Sequence, residues 1–193
     1  MAAHPGPYPS ERHSYDRHGR NAPDIRLGGG HRVVVSDIHF LPIASERLAA
    51  MREQGMDEHG NLWTPRPAEG WEPLRCCLRR ASAGEDIALI SYSPWTRPSP
   101  WREVGPVFVH FGPCEGYRAT SDYPPAFRDS PSMLNPFDHG GARAYEHITF
   151  VAPADDHEAA VRAVMARPEV AFLHVRSSVA GCLTFEVQPV DMA

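Results

Sequence analysis

The sequence predicts an α+β fold: one domain with a largely antiparallel sheet and about three helices. Short apolar runs rich in β-branched residues alternate with period two, and other stretches place apolar residues at helical spacing. Their order is mixed rather than a strict strand–helix alternation, which argues against a doubly wound parallel sheet. The chain of 193 residues is long enough to bury a core without disulfides or structural metal.

Residues 1–30 carry Pro, Gly, His and Arg with hardly an aliphatic side chain, so they read as a disordered tail ahead of a single domain over 31–193. The domain opens with HRVVVSDIHFLPI as a strand. ASERLAAMREQG follows as a helix that Ser45 can cap and Gly55 ends. Pro73 suits a helix start, and Leu74, Cys77, Leu78 and Ala81 recur at i, i+3, i+4 and i+7 before Gly84. That spacing places Cys77 in the core and sets Arg75 and Arg79 one turn apart on another face. DIALISY, VGPVFVHFG and AYEHITFVAP read as strands, DDHEAAVRAVMARPE as an amphipathic helix, and VAFLHVRS with GCLTFEVQP as a closing pair. The count is about six strands.

Several function classes are disfavoured. A net charge of −5 lacks the basic excess that phosphate backbones select, so no nucleic-acid partner is expected. No apolar run reaches the roughly 20 residues of a membrane span, and the start MAAHP lacks the regions of a signal peptide, so a cytoplasmic protein is expected. The glycines at 28–30 precede a strand rather than a helix, which gives nucleotide cofactors no support. Four cysteines at irregular spacing read as thiols.

Alternation divides the strands into faces. Leu173 and Val175 oppose Phe172, His174 and Arg176; Val107 and Val109 oppose Phe108 and His110; Phe185 and Val187 oppose Thr184 and Glu186. The mixed faces suit either a pocket floor or a solvated surface. No metal site is expected, because His110-Phe-Gly-Pro-Cys114 is one loose pair, with Cys76, Cys182 or His174 as further candidates, whereas structural zinc shows two close pairs. Cys76, beside Arg75, reads as an activated thiolate or as a small buried residue. Glu103 lies among Trp95, Trp101 and several prolines, where desolvation would raise its pKa and make it a usable base; the plainer alternative is a surface pair with Arg102.

The stretches RCCL, SYSPW, WREVGPVFVH with Cys114, and HVRSSVAGCLTFEV resemble a bacterial family of unknown function over roughly residues 33–188. More distantly, WREVGPVFVH is similar to the β-carboline-forming Pictet–Spenglerases, small homodimeric enzymes that use neither metal nor cofactor. That resemblance implies a cofactor-independent condensation of an aryl-ethylamine such as tryptophan with an aldehyde. It implies Glu103 as general base, with Arg79 or Arg75 and Arg176 receiving the substrate anion and Trp101 and His110 lining the pocket. Those enzymes carry a histidine between the arginine and the glutamate, and residues 61–109 contain none. The alternative is a small-molecule or metal-binding accessory protein using His110, Cys114, His174 and Cys182.

Overall fold

Ten strands and two α-helices are present among the described residues, 37–190, of the computed structural model. The expectation of a tail over 1–30 lies outside them. In chain order the strands are β1 (Ile38–Leu41), β2 (Arg66–Pro67), β3 (Pro73–Leu74), β4 (Arg79–Arg80), β5 (Asp86–Tyr92), β6 (Gly105–His110), β7 (Ser132–Phe137), β8 (Thr149–Val151), β9 (Phe172–Ser177) and β10 (Leu183–Pro189). The helices are α1 (Ser45–Gln54) and α2 (His157–Met165). The strands form two five-stranded sheets, ordered β1-β10-β9-β7-β8 and β2-β5-β6-β3-β4. The expected α+β domain with one main sheet and three helices is therefore corrected to a mostly β architecture. None of the helices among these residues is long and apolar enough to cross a membrane.

The missing helix is the one read over Pro73–Ala81. Leu74, Leu78 and Ala81 are buried as its spacing required, but the chain runs as β3, a tight turn and β4. One local and one long-range pairing outweigh helix propensity there: β3 pairs antiparallel with the adjacent β4 and parallel with β6, Leu74 opposite Phe108. Glu72 anchors the approach, its buried carboxylate accepting the backbone N–H groups of Glu69, Gly70 and Trp71. Such donors stabilise the ionised form of a buried acid, and its pKa lies below the ordinary value even though burial, the largest influence, works the other way.

Each sheet buries one face. Against the first, Leu173, Val175, Phe185 and Val187 pack with Val161 of α2 and with Phe40 and Tyr123, whose rings meet edge to face at 5.5 Å. Against the second, Ile87, Val107 and Val109 pack with Leu48 and Met51 of α1. The aliphatic faces read from alternation are buried, and on the opposite faces His174 and Thr184 are buried as well. Both helix ends follow local chemistry. Asp156 caps α2 by accepting from the Ala159 N–H at 3.0 Å, and Gly55 ends α1 at φ 68°. The expected cap at Ser45 is not formed, since Ala44 precedes the helix with no side-chain acceptor.

Candidate metal centre

The turn between β3 and β4 is closed by Leu78 N–H donating to the Leu74 carbonyl at 2.9 Å, with Leu78 itself at φ 53°. A non-glycine residue pays for a left-handed conformation, and here the burial of the Leu78 side chain in the first core holds it there. The turn brings both Cys76 and Cys77 toward the end of β6. Their sulfurs are 4.0 Å apart, and His110 Nδ1 lies 3.2 Å from Cys76 Sγ and 3.8 Å from Cys77 Sγ. The His110 backbone N–H also donates to Cys76 Sγ at 3.3 Å. Cys114 completes the group: one ligand atom from each of Cys76, Cys77, His110 and Cys114 falls within 4.8 Å of all the others.

These spacings suit a tetrahedral ion. With metal–sulfur bonds of about 2.3 Å, ligand atoms stand roughly 3.8 Å apart. The electrostatics favour ligation as well. Cys77 is drawn down to about 5, first by hydrogen bonding from Cys76 and then by His110, and Cys114 is drawn down to about 5 chiefly by Cys76. Cys76 is pushed upward as the shared donor of the group, with burial adding to the effect. The downward direction at Cys77 and Cys114 favours the thiolate form in which cysteine ligates a metal.

A second layer orients the imidazole. His110 Nε2 lies 2.7 Å from Glu85 Oε1 and 2.8 Å from Arg79 Nη2, while Nδ1 faces the thiols; donation from Nε2 to Glu85 is the tautomer that leaves Nδ1 able to ligate. Arg79 clamps Glu85 with two bonds, 2.5 and 3.0 Å, and the Ser82 backbone N–H donates to the same carboxylate at 2.8 Å. Arg79 accordingly holds Glu85 down to about 2. His110 is raised to about 9, by Cys77 first and by Glu85 among the remaining causes. A carboxylate on the outer nitrogen of a ligating histidine is the usual way to fix its tautomer and direction.

The six residues expected around one substrate do not meet. Arg79 and His110 belong to this cluster. Arg75 is buried between the sheets, its Nε donating to the Leu183 carbonyl at 2.8 Å and another nitrogen to Pro73; burial lowers it to about 10. Glu103 and Arg176 meet on the first sheet's side of the molecule, where Arg143 joins them at 2.9 Å and Arg176 contacts the other carboxylate oxygen. Glu103 keeps 40% of its side-chain exposure, and neither the desolvated setting nor the Arg102 pair describes it. Trp101 donates to Tyr145 Oη at 3.3 Å. Of the other candidate ligands, His174 pairs with Glu186, and Cys182 Sγ is 3.6 Å from the Ala180 carbonyl; neither belongs to the cluster.

Sequence reasoning passed over Glu85 and Arg143 and read Cys77 as a core residue, whereas it is half-buried within the cluster. The signal for Cys77 was present, since Cys76-Cys77 and His110-x3-Cys114 together supply two close pairs. Fold and cluster together define a mostly β protein whose second sheet carries a thiol and imidazole centre. The chain belongs to the family described as Protein of unknown function (DUF1203), which matches residues 71–188, a span that holds all four cluster residues. No curated protein and no solved structure matches the chain.

Proposed function

We propose that this chain is a transition-metal-binding protein whose ion is held by Cys76, Cys77, His110 and Cys114. The observation that carries it is the convergence of these four ligand atoms within 4.8 Å. Three thiols and one imidazole favour zinc among the common divalent ions, and four protein ligands fill a tetrahedral shell. With no open position the ion serves structure or storage rather than hydrolysis. A cavity of about 170 Å³ lined by Cys76, Cys114, Leu48 and Arg52 gives the centre a route to solvent. The test is elemental analysis of protein purified without a metal-affinity tag. One zinc per chain in the wild type, lost in Cys77→Ala and in His110→Ala, is the expected result. A wild type that neither carries zinc nor takes it up in competition with a chromophoric chelator would overturn the proposal.

A second reading keeps the condensing enzyme of Pictet–Spengler type, with an aryl-ethylamine and an aldehyde as partners and a homodimer as its assembly. It is favoured by one arrangement: Glu103, with Arg143 and Arg176 on its carboxylate, ends a segment whose Trp95 and Trp101 line a cleft of about 640 Å³. To take a proton from a substrate, a Glu103 carboxylate oxygen has to come free of the guanidinium it contacts. Incubating wild type and Glu103→Gln with tryptophan and reactive aldehydes, and following the cyclised product by mass spectrometry, tests it. Equal turnover by both proteins, or none by either, refutes the role of Glu103.

A further inference from the structure

The guanidinium of Arg75 carries an inference that does not depend on the metal centre. Its Nε and Nη1 are spent on the Leu183 and Pro73 carbonyls, and no carboxylate pairs with it among the described residues. A cation on a residue only 4% exposed is costly without a counter-charge. Burial is the largest influence drawing its pKa down to about 10; Cys182 opposes that shift, and the neighbouring Arg80 adds to it. The remaining nitrogen, Nη2, makes no hydrogen bond among the described residues, and it is not sealed from solvent. The open space against this side chain is a cavity of about 190 Å³ between the two sheets.

The wall of that cavity offers donors and positive charge. Arg75 and Arg80 are the charged residues that line it, with no acid and no histidine among the lining. Its hydroxyls have protons to give. Ser177 Oγ accepts the N–H groups of Val179 at 3.3 Å and Ala180 at 3.1 Å, and Ser130 Oγ accepts from Arg80 Nη2 at 2.8 Å. A hydroxyl that already accepts keeps its own O–H for another partner. Thr184 is 8% exposed, and its Oγ1 has no hydrogen bond among the described residues, yet it too is not sealed off. Val179, 87% exposed, stands at the mouth and opens the cavity to solvent. The donors come from just after β3, from the loop before β7, from the end of β9 and from the start of β10. Donors arriving from several directions suit a tetrahedral oxyanion better than a planar carboxylate.

We propose that this cavity binds a phosphate group, whose oxygens accept from Arg75 Nη2 and from the Ser177 and Thr184 hydroxyls, with Arg80 adding its charge at the rim. The space holds the group and little more, so the ligand is inorganic phosphate or a small phosphate ester. Neither the thiol cluster nor Glu103 lines the cavity.

The probes are inorganic phosphate and glycerol 3-phosphate, set against acetate and chloride at constant ionic strength. In isotopically labelled protein the backbone N–H signals of Val179 and Ala180, which donate to Ser177 Oγ, report the cavity. Phosphate is expected to shift them saturably, and acetate to bind about tenfold more weakly. Arg75→Met should weaken phosphate by about tenfold to a hundredfold, the effect of a lost charged hydrogen bond, and Thr184→Val, which keeps the side chain's shape, by about fivefold. Tighter binding of the ester identifies a small phosphorylated molecule as the ligand, and tighter binding of inorganic phosphate identifies the free ion. No saturable shift with either phosphate, or the same shift with chloride and acetate, which is charge screening alone, overturns the proposal. So does undiminished affinity in Thr184→Val, which together with the comparison of anions on the wild type decides the matter even where Arg75→Met fails to fold.

Discussion

Replacing Glu85 tests the metal reading without touching a ligand. Its carboxylate receives the His110 Nε2 contact at 2.7 Å, two bonds from Arg79 and the Ser82 N–H. Glu85→Ala removes the orienting partner and frees the imidazole to rotate or change tautomer. Outer-layer partners of ligating histidines carry about tenfold to hundredfold in affinity, or ~1.4 to ~2.8 kcal/mol. Glu85→Gln keeps the shape but replaces a charged acceptor with a neutral one, so its loss is expected near the lower end. Arg79→Ala should cost less than either, because Ser82 still holds Glu85 and the Arg79 side chain is 43% exposed. Affinities are read by zinc competition against a chromophoric chelator, with melting of the apo proteins as a control. If Glu85→Ala binds zinc as tightly as wild type while folding normally, His110 is not oriented through Glu85 and the two-layer site fails.

Other outcomes follow from the same geometry. Glu85 sits at about 2 in the folded chain against an ordinary 4.5, so its contribution to stability is present above pH 4.5 and is lost as pH falls toward 2; unfolding of the apo protein along that acid limb should be steeper in wild type than in Glu85→Gln. Arg75→Met removes donors from the Leu183 and Pro73 carbonyls, and a loss of ~2 kcal/mol, roughly 4–8 °C in melting temperature, is expected with zinc content unchanged. A zinc loss equal to that of Cys77→Ala would instead place Arg75 in the centre. Glu103→Gln leaves Arg143 and Arg176 without their shared carboxylate; at this half-exposed position about 1–2 kcal/mol of stability should go. A melting curve identical to wild type would show that the cluster contributes nothing to folding. Adding zinc should raise the melting temperature of the chelator-treated wild type and leave that of His110→Ala unchanged.

Local patterns were legible where local physics decides. The alternation in DIALISY, VFVHF, FLHVR and LTFEV located four strands and their buried faces. The 3.6-residue period located α2, while α1 was placed by its expected ends, of which Gly55 holds and the Ser45 cap does not. Strand β7 escaped because Pro136 interrupts SMLNPF. The structure tolerates it since β8 pairs only with Ser132–Leu134, so no ladder donor is missed on that side. The turn at Cys76 and Cys77 escaped for a different reason. Leu74, Leu78 and Ala81 satisfy helical spacing equally well when they bracket a reversal, and the parallel pairing with β6 that selects the reversal joins residues far apart in sequence. For the site, residue types could be read and partnerships could not. His110 and His174 lie on mixed faces of strands from different sheets, so what reads as one pocket floor is two separate faces.

The register that sets Leu74 opposite Phe108 has a topological consequence. An ion shared by Cys77 and His110 would be a cross-link closing the chain between them, which includes β4, β5 and the whole proline-rich segment. In the chain-entropy description a bond closing a loop of this length removes about 4 kcal/mol of freedom from the unfolded ensemble. Such a clasp reaches the two-residue strands β3 and β4, which have few hydrogen bonds of their own. Loss of the ion would therefore be felt first as fraying at that edge of the second sheet, seen as faster amide exchange at Leu78 and Ala81, while the first sheet and its core stay closed.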